Sequence, residues 1–576
     1  MVNTMTYNTA DQQQQAISTV IANLKPFIDS DNIAESLSED QLTDIGRRVV
    51  EEFHIDYETG TDWRENNNKY LELAKQISKT KDHPWNGAAN VKLPLLADAA
   101  IKFQARAYAE IVKDNKVVKA KIPGDDDKPE IPPNVPPELA QQLSSNPKAE
   151  RGERVSEYMS YQLLEDIEEW EPDTDKLLLM VSVIGHVYRK MFYDPSYGRI
   201  RSYLLLPDKL HVNNKASSLK CSRRATEELT IYASDLKAMQ NAGCYLDIEL
   251  PSDEEEGEPV EVKVYDLLEQ HKWLDLDNDG IDEPYTVTVH RQSGMVLCIK
   301  ARYNERSVRL NKSETKIIRI EARSFYTDYI FIPSFDGSYL SIGLGALLYP
   351  LNESANTLFN QLLDAGTLSN MQSGFLSKSV KLKGGVTRFA PGEWKKTDSM
   401  AADLRNGVLP LPVREPSPTL FNMLGLVMDL TKDIASIKDV LSGDSPGANI
   451  PATTVAMLVE QGLKTYSAIY KRIYRSLKQE FKLLYHLNYE YLDNEEYFKV
   501  LDDTKVAYRQ DFEYQDCDVI PIADPALSSD VQRLAQAQAL IQGIELPGVN
   551  AYPIVKQYFE SIKAKNVDEI VPEPNP

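Results

Sequence analysis

Cysteine is scarce in this chain of 576 residues, with four in all. Cys221, Cys244, Cys298 and Cys517 lie far apart and form neither a CxxC pair nor a compact disulfide framework, so reduced, structural thiols are expected. Long apolar runs are missing as well. No stretch approaches the roughly 20 consecutive apolar residues that span a bilayer, which predicts a protein without a membrane anchor. Met1 to Gln15 is polar and lacks an apolar core flanked by basic residues, so no signal peptide is expected and synthesis in a cytoplasm is. The sequence also lacks Walker A, GxGxxG, GxSxG and HExxH patterns, and its seven histidines are scattered from His54 to His486. An enzyme is not expected.

Positive charge is in deficit: 64 Lys and Arg stand against 87 Asp and Glu, a formal net charge of −23. Such a surface stays soluble and repels nucleic acid over most of its area, which disfavours a DNA-gripping role. It is compatible with a wall along which DNA slides, because tight phosphate contacts act as a brake. What is present is ordinary globular material. Hydrophobic residues make up 42% and charged residues 26%, so the chain can fold around a large core. Its length suggests three or four folding units.

Residues 12 to 80 carry apolar positions at helical spacing: Val20, Leu24 and Ile28, then Ile45, Val49 and Phe53, then Leu71, Leu73 and Ile77. A turn at His83 to Asn90 leads into a long amphipathic helix with Leu95, Leu96, Ile101, Phe103 and Tyr108, ending near Ile111. Pro123 to Pro137 reads as an exposed loop. Another helix runs from Glu150 to about Trp170, and Lys176 to Ile184 continues as a buried apolar stretch. Beyond Gly185 the signal changes to short β-branched or aromatic runs: from His186, Ile200 to Leu206, Val260 to Leu267, Pro284 to His290, Met295 to Tyr303 and Lys316 to Ala322. That segregation predicts a helix-rich α+β fold.

From about Leu347 to Leu368 a helix returns. A second starts near Pro418 and carries Leu420, Met423, Val427, Leu430, Ile434 and Ile437 on one face. Between them lies a small strand-rich insert, 371 to 415. The glycine- and proline-containing loop Ser442 to Ala452 precedes a helix from Thr453 to about Leu492, roughly 60 Å long at 1.5 Å per residue. Further helices are expected over Ser528 to Gln542 and Ile554 to Lys563. There is no internal repeat.

This order of parts resembles the tailed-bacteriophage portal (head-to-tail connector) proteins, particularly the podovirus-like ones, over residues 40 to 500. The segments Pro84-Trp-Asn-Gly-Ala-Ala-Asn-Val-Lys-Leu-Pro-Leu-Leu-Ala-Asp-Ala-Ala, Asp275-Leu-Asp-Asn-Asp-Gly-Ile-Asp-Glu-Pro-Tyr and Leu362-Leu-Asp-Ala-Gly-Thr are similar to segments of such portals. The resemblance implies a wing at 1–340, helical over 1–184 and α+β over 185–340. It further implies a first stem helix at 341–370, a clip at 371–415 and a second stem helix at 416–440. A tunnel loop at 441–452, a wing spine at 453–505 and a helical crown at 506–576 complete the set.

Portals form rings, usually of twelve, at one capsid vertex, and double-stranded DNA passes through them during packaging and ejection. The partners implied are further copies of this chain, the terminase large subunit, major capsid or scaffolding protein, a tail or adaptor protein and the DNA itself, with no membrane. The location implied is the virion, after assembly in the host bacterial cytoplasm. Asp429, Lys432, Asp433, Lys438 and Asp439 would then face the channel, although each also suits an ordinary solvated helix face. Gly443, Asp444, Ser445 and Asn449 would lie in the tunnel loop, for which a plain interhelical linker is the other reading. The insert concentrates Lys378, Lys381, Lys383, Arg388, Lys395, Lys396, Arg405 and Arg414 in an acidic chain, which suits a docking surface at the clip or a solvated strand face.

The segment Asp275-Leu-Asp277-Asn-Asp279-Gly280-Ile-Asp282-Glu283 offers hard oxygen ligands at alternate positions, as a calcium loop does. Thr286 stands where an EF-hand carries its glutamate, and the flanks read as strands, so a tight acidic hairpin turn competes. No other cofactor is expected. Asp125 to Asp127 and Asp253 to Glu258 sit in Pro- or Gly-flanked charged runs that read as solvated loops. The rival readings are another virion structural protein, such as a capsid or tail-adaptor subunit, and a metal-dependent nuclease using these acidic clusters.

Overall fold

The computed structural model describes residues 21–122, 147–251, 263–370, 415–434 and 452–522, with short gaps inside these spans, together with 374–376, 408–410, 541 and 551–561. Among them the chain mixes helix and sheet, the α+β class expected. The Pro-rich segment from Pro123, the acidic runs Asp125 to Asp127 and Asp253 to Glu258, the loop Ser442 to Pro451 and the helix expected from Ser528 lie outside the described residues.

The first long helix, α1 (Glu39–Thr59), starts at a reciprocal cap. The Ser38 hydroxyl accepts from the Gln41 amide at 3.4 Å, and the Gln41 side chain accepts from the Ser38 amide at 3.1 Å. Helix α2 (Thr61–Ala74) follows at once. The expected positions Leu24, Ile45, Val49, Phe53 and Leu73 are buried, while Ile77 lies beyond α2 and is exposed. In α3 (Leu95–Ile111), Leu96 and Phe103 are buried but Ile101 is 55% exposed. Ile101 precedes Phe103 by two residues, about 200° around a helix, and so belongs to the opposite face.

Strand β1 (Val118–Lys121) precedes α4 (Pro147–Tyr161). The single helix expected from Glu150 to Trp170 is instead broken: a π-turn at Gln162–Asp166 ends α4, and α5 (Trp170–Ile184) starts afresh. Gly185 closes α5 with φ of +92°, and a Cβ there would meet the Ile342 carbonyl carbon at 2.1 Å. Only glycine serves both the left-handed cap and this close backbone crossing.

Next come β2 (His186–Asp194), β3 (Arg199–Leu205), β4 (Leu210–His211), β5 (Ala225–Tyr232), the short helix α6 (Ala233–Asn241), β6 (Val264–Leu274), β7 (Glu283–His290) and β8 (Val296–Ala301). The hairpin β9 (Val308–Leu310) and β10 (Ile317–Ile320) and the strand β11 (Tyr326–Ile330) complete this region. β4 to β8 form a five-stranded antiparallel meander, and β11-β2-β3 form a three-stranded antiparallel sheet. The sequence reading stops the strand after Val260 at Leu267, but β6 runs on to Leu274, and β5 and β11 go unread. β5 pairs residue by residue with β6, from Ala225 opposite His271 to Tyr232 opposite Val264. Along β6, Leu268 joins the core under α1 and Lys272 pairs with Glu52 of α1, while Tyr265 and Leu267 join the cluster holding Leu236 of α6. This is the two-residue alternation of a sheet covered on both faces.

Helix α7 (Leu344–Asn370) leads to the short pair β12 (Gly374–Leu376) and β13 (Val408–Pro410), and α8 (Pro418–Ile434) returns beside α7. Helix α9 (Ala452–Tyr491) has 40 residues, as the sequence spacing predicts. Its Ile473, Leu477, Phe481 and Leu484 enter the largest core, shared with α3, α4, α5 and β2. The chain then makes a hairpin, β14 (Glu495–Val500) and β15 (Asp503–Tyr508), absent from the sequence reading. Strand β16 (Asp518–Pro521) pairs antiparallel with β1, and α10 (Ala551–Ser561) overlaps the helix expected from Ile554. No helix among the described residues is long and apolar enough to cross a membrane.

Candidate functional site

The helices α7 and α8 pack against each other and are joined, among the described residues, through the β12–β13 pair. On α8 the covered residues are Leu424 and Thr431, with Leu420 and Val427 half-buried. These positions recur at three or four residues, the repeat of one helix face. The sequence reading placed Met423, Leu430 and Ile434 on the same face as Leu420 and Val427. Instead they stand outside it, with Phe421 at 70% exposure and Leu426 at 62%. The helix is thus apolar around most of its girth, and among the described residues one stripe of it is covered. Asp429, Lys432 and Asp433 are exposed beside the bare stripe. Lys438, Gly443, Asp444, Ser445 and Asn449 lie outside the described residues, as do Lys378, Lys381, Lys383, Arg388, Lys395 and Lys396.

On the other side of the pair, α7 carries Asn352, Asn356, Asn360 and Asp364 at intervals of four. Their side-chain oxygens accept from the amides of Leu96 (3.0 Å), Leu93, Val91 and Ala89 (each 2.8 Å). Asn352 and Asn360 also donate to the carbonyls of Leu93 and Val91, both at 3.0 Å. Four helix residues rise about 6.0 Å and two extended residues advance about 6.6 Å. The near match lets alternate amides of 89–93 register with successive turns of α7, so that side-chain amides stand in for a neighbouring strand. Lys92 adds an ion pair with Glu353 at 2.9 Å. Two segments that carry the sequence resemblance, from Pro84 and from Leu362, therefore meet in space. The sequence signal for this was the Asn spacing, which a reading by apolar periodicity passes over.

Two buried charged centres position the sheets behind these helices. Glu480 of α9 accepts from Trp170 Nε1 at 2.6 Å and from Arg189 at 3.2 Å, and Tyr329 donates to its other oxygen. Neither charged side chain has any exposure. Between the sheets, Lys190 donates to Glu227 at 2.7 Å and Glu269 at 2.8 Å. Burial opposes the ammonium, but Glu269 and Glu227 outweigh it and hold Lys190 well above its ordinary pKa.

The acidic segment forms the turn between β6 and β7, the hairpin turn that was one of its two readings, and four of its carboxylates converge. One carboxylate oxygen from each of Asp275, Asp277, Asp279 and Glu283 lies within 4.8 Å of the other three. Asn278 and Gly280 take positive φ values of 60° and 87°, curling the chain around the cluster. Asp275 accepts from the amides of Asp279 (3.1 Å) and Gly280 (3.0 Å). Glu283 is fully buried; the Tyr285 hydroxyl donates to its Oε2 at 3.3 Å, and its Oε1 meets no hydrogen-bond partner among the described residues. Burial, then the charge of Asp277, pushes the Glu283 carboxyl up to about 8. Arg223 pairs with Asp282 at 2.8 Å, outside the four.

No protein-family model matches the chain, and no curated protein does.

Proposed function

We propose that this chain is a portal subunit of a tailed bacteriophage, a ring-forming conduit for double-stranded DNA that works by geometry rather than catalysis. The observation that carries the reading is α8, on which Met423, Leu426, Leu430 and Ile434 form one exposed apolar stripe. A helix that is apolar nearly all round is a buried helix, and a bare apolar strip of this length marks an interface. The partner that suits it is the α7–α8 pair of the next copy, with Leu363 and Leu368 of α7 exposed to receive it. Repetition around an axis, twelve times in the expected ring, closes every stripe. In that ring Asp429, Lys432 and Asp433 line a hydrated channel of mixed charge, and the insert between the helices is the clip that takes the terminase motor first and tail or adaptor proteins afterwards. The location proposed is the portal vertex of the virion.

Electron microscopy of the purified chain tests this. Rings with an axial hole are expected, and Leu426→Ser with Leu430→Ser should leave monomers whose thermal melting matches the wild type, because both side chains are exposed within the subunit. Closed shells, or monomers of the unaltered chain at every salt concentration, would count against the portal.

A further inference from the structure

The β6–β7 turn contains a feature that ring formation does not use. Oxygens on opposite sides of a calcium ion with bonds of about 2.4 Å stand about 4.8 Å apart, whereas magnesium at about 2.1 Å draws them to about 4.2 Å. The four carboxylate oxygens of Asp275, Asp277, Asp279 and Glu283 fall within 4.8 Å of one another, close enough for all four to reach one calcium ion. Clustered acids alone do not make a site; Glu283 supplies the independent sign. Its carboxylate is fully buried, belongs to the converging set, and leaves Oε1 without a hydrogen-bond partner among the described residues. A buried carboxylate oxygen without a donor costs free energy unless something positive meets it. Among the described residues, the arginine pairing in the turn goes to Asp282, whose exposed carboxylate is not in the set.

We propose that the β6–β7 turn binds one calcium ion through Asp275, Asp277, Asp279 and Glu283. The first three occupy positions 1, 3 and 5 of a calcium loop, with Gly280 at position 6 where the chain turns sharply. Glu283, on the first residue of β7, replaces the distant glutamate of an EF-hand, so two strands take the place of two helices. Leu276 and Ile281, from inside the same turn, pack against the core beneath α1, so the ion ties the loop to that core and fixes the register of the two strands. The site lies within one subunit and does not depend on the portal reading.

The test uses the full chain, stripped with a chelator and titrated with calcium chloride by calorimetry, with thermal melting alongside. One calcium per chain is expected, with a melting temperature that climbs with calcium concentration as a ligand of the native state requires. Asp277→Asn and Asp279→Asn, both on the turn surface, should each weaken binding at least tenfold, while Asp282→Asn binds as the wild type does. No heat and no melting shift at millimolar calcium would overturn the site, as would wild-type affinity in both Asp277→Asn and Asp279→Asn. An equal response to magnesium would overturn the assignment to calcium. Ring formation is read separately, so failure here leaves the portal proposal standing, and the reverse.

Discussion

At the scale of single residues, the fold depends on polar groups placed where apolar ones are expected. Glu480 satisfies Trp170, Arg189 and Tyr329 together, and removing it leaves a fully buried guanidinium without its counter-charge. Glu480→Ala should therefore destabilise the protein by about 3–5 kcal/mol, read as a lower midpoint in denaturant unfolding. Histidines set a second expectation. Burial alone pushes His186 from 6.5 down to about 3, and burial, Arg302 and Lys190 hold His271 well below 6.5. Both stay neutral in the fold, and in the unfolded chain both take up a proton near pH 6.5. The stability they contribute is complete above that pH and is lost as pH falls from about 6.5 toward the folded values, at about 1.4 kcal/mol per pH unit for each. Urea midpoints measured from pH 8 to pH 5 should hold steady and then drop below 6.5. None of these partners is legible in sequence, because Glu480 lies 291 positions from Arg189.

At the scale of elements, what could be read was what repeats locally. The 40-residue helix α9 follows from its spacing, and so do α7 and the strands β2, β3, β7, β8 and β10. β5 did not, because Glu227 and Glu228 interrupt its apolar pattern; Glu227 is buried where Lys190, Tyr203 and Tyr326 come from another sheet to meet it. The break after α4 was equally hidden, since a π-turn keeps the helical composition. In the acidic turn the carboxylates and their order were legible, while the burial of Glu283 needed the strand pairing. The asparagine ladder on α7 is the clearest case of a contact written in spacing but not in hydrophobicity. Asn356→Ala with Asn360→Ala should leave the amides of Val91 and Leu93 unpartnered. Their hydrogen exchange should accelerate at least tenfold, with a stability loss of about 1–3 kcal/mol for two part-buried hydrogen bonds.

At the scale of the whole molecule, a net charge of −23 on every copy would set subunits of the proposed ring against one another. Assembly through an apolar stripe then competes with like-charge repulsion that salt screens, the Debye length falling from about 10 Å at 0.1 M to about 3 Å at 1 M. Sedimentation should show the ring fraction rising with sodium chloride, the reverse of what a protein held together by ion pairs does. A slower consequence concerns β1, whose partner strand among the described residues is β16. Val118 faces Pro521, so the largest core cannot be closed until nearly all of the chain has left the ribosome. At about 5–20 residues per second, β1 waits roughly 20–80 s for its partner. Nascent chains stalled near residue 480 should be cut within α4 by added protease, and chains stalled well beyond 522 should resist. For that interval a half-made protein with a bare strand edge must be kept from its neighbours on the same message, which makes the pace of translation part of how this chain folds.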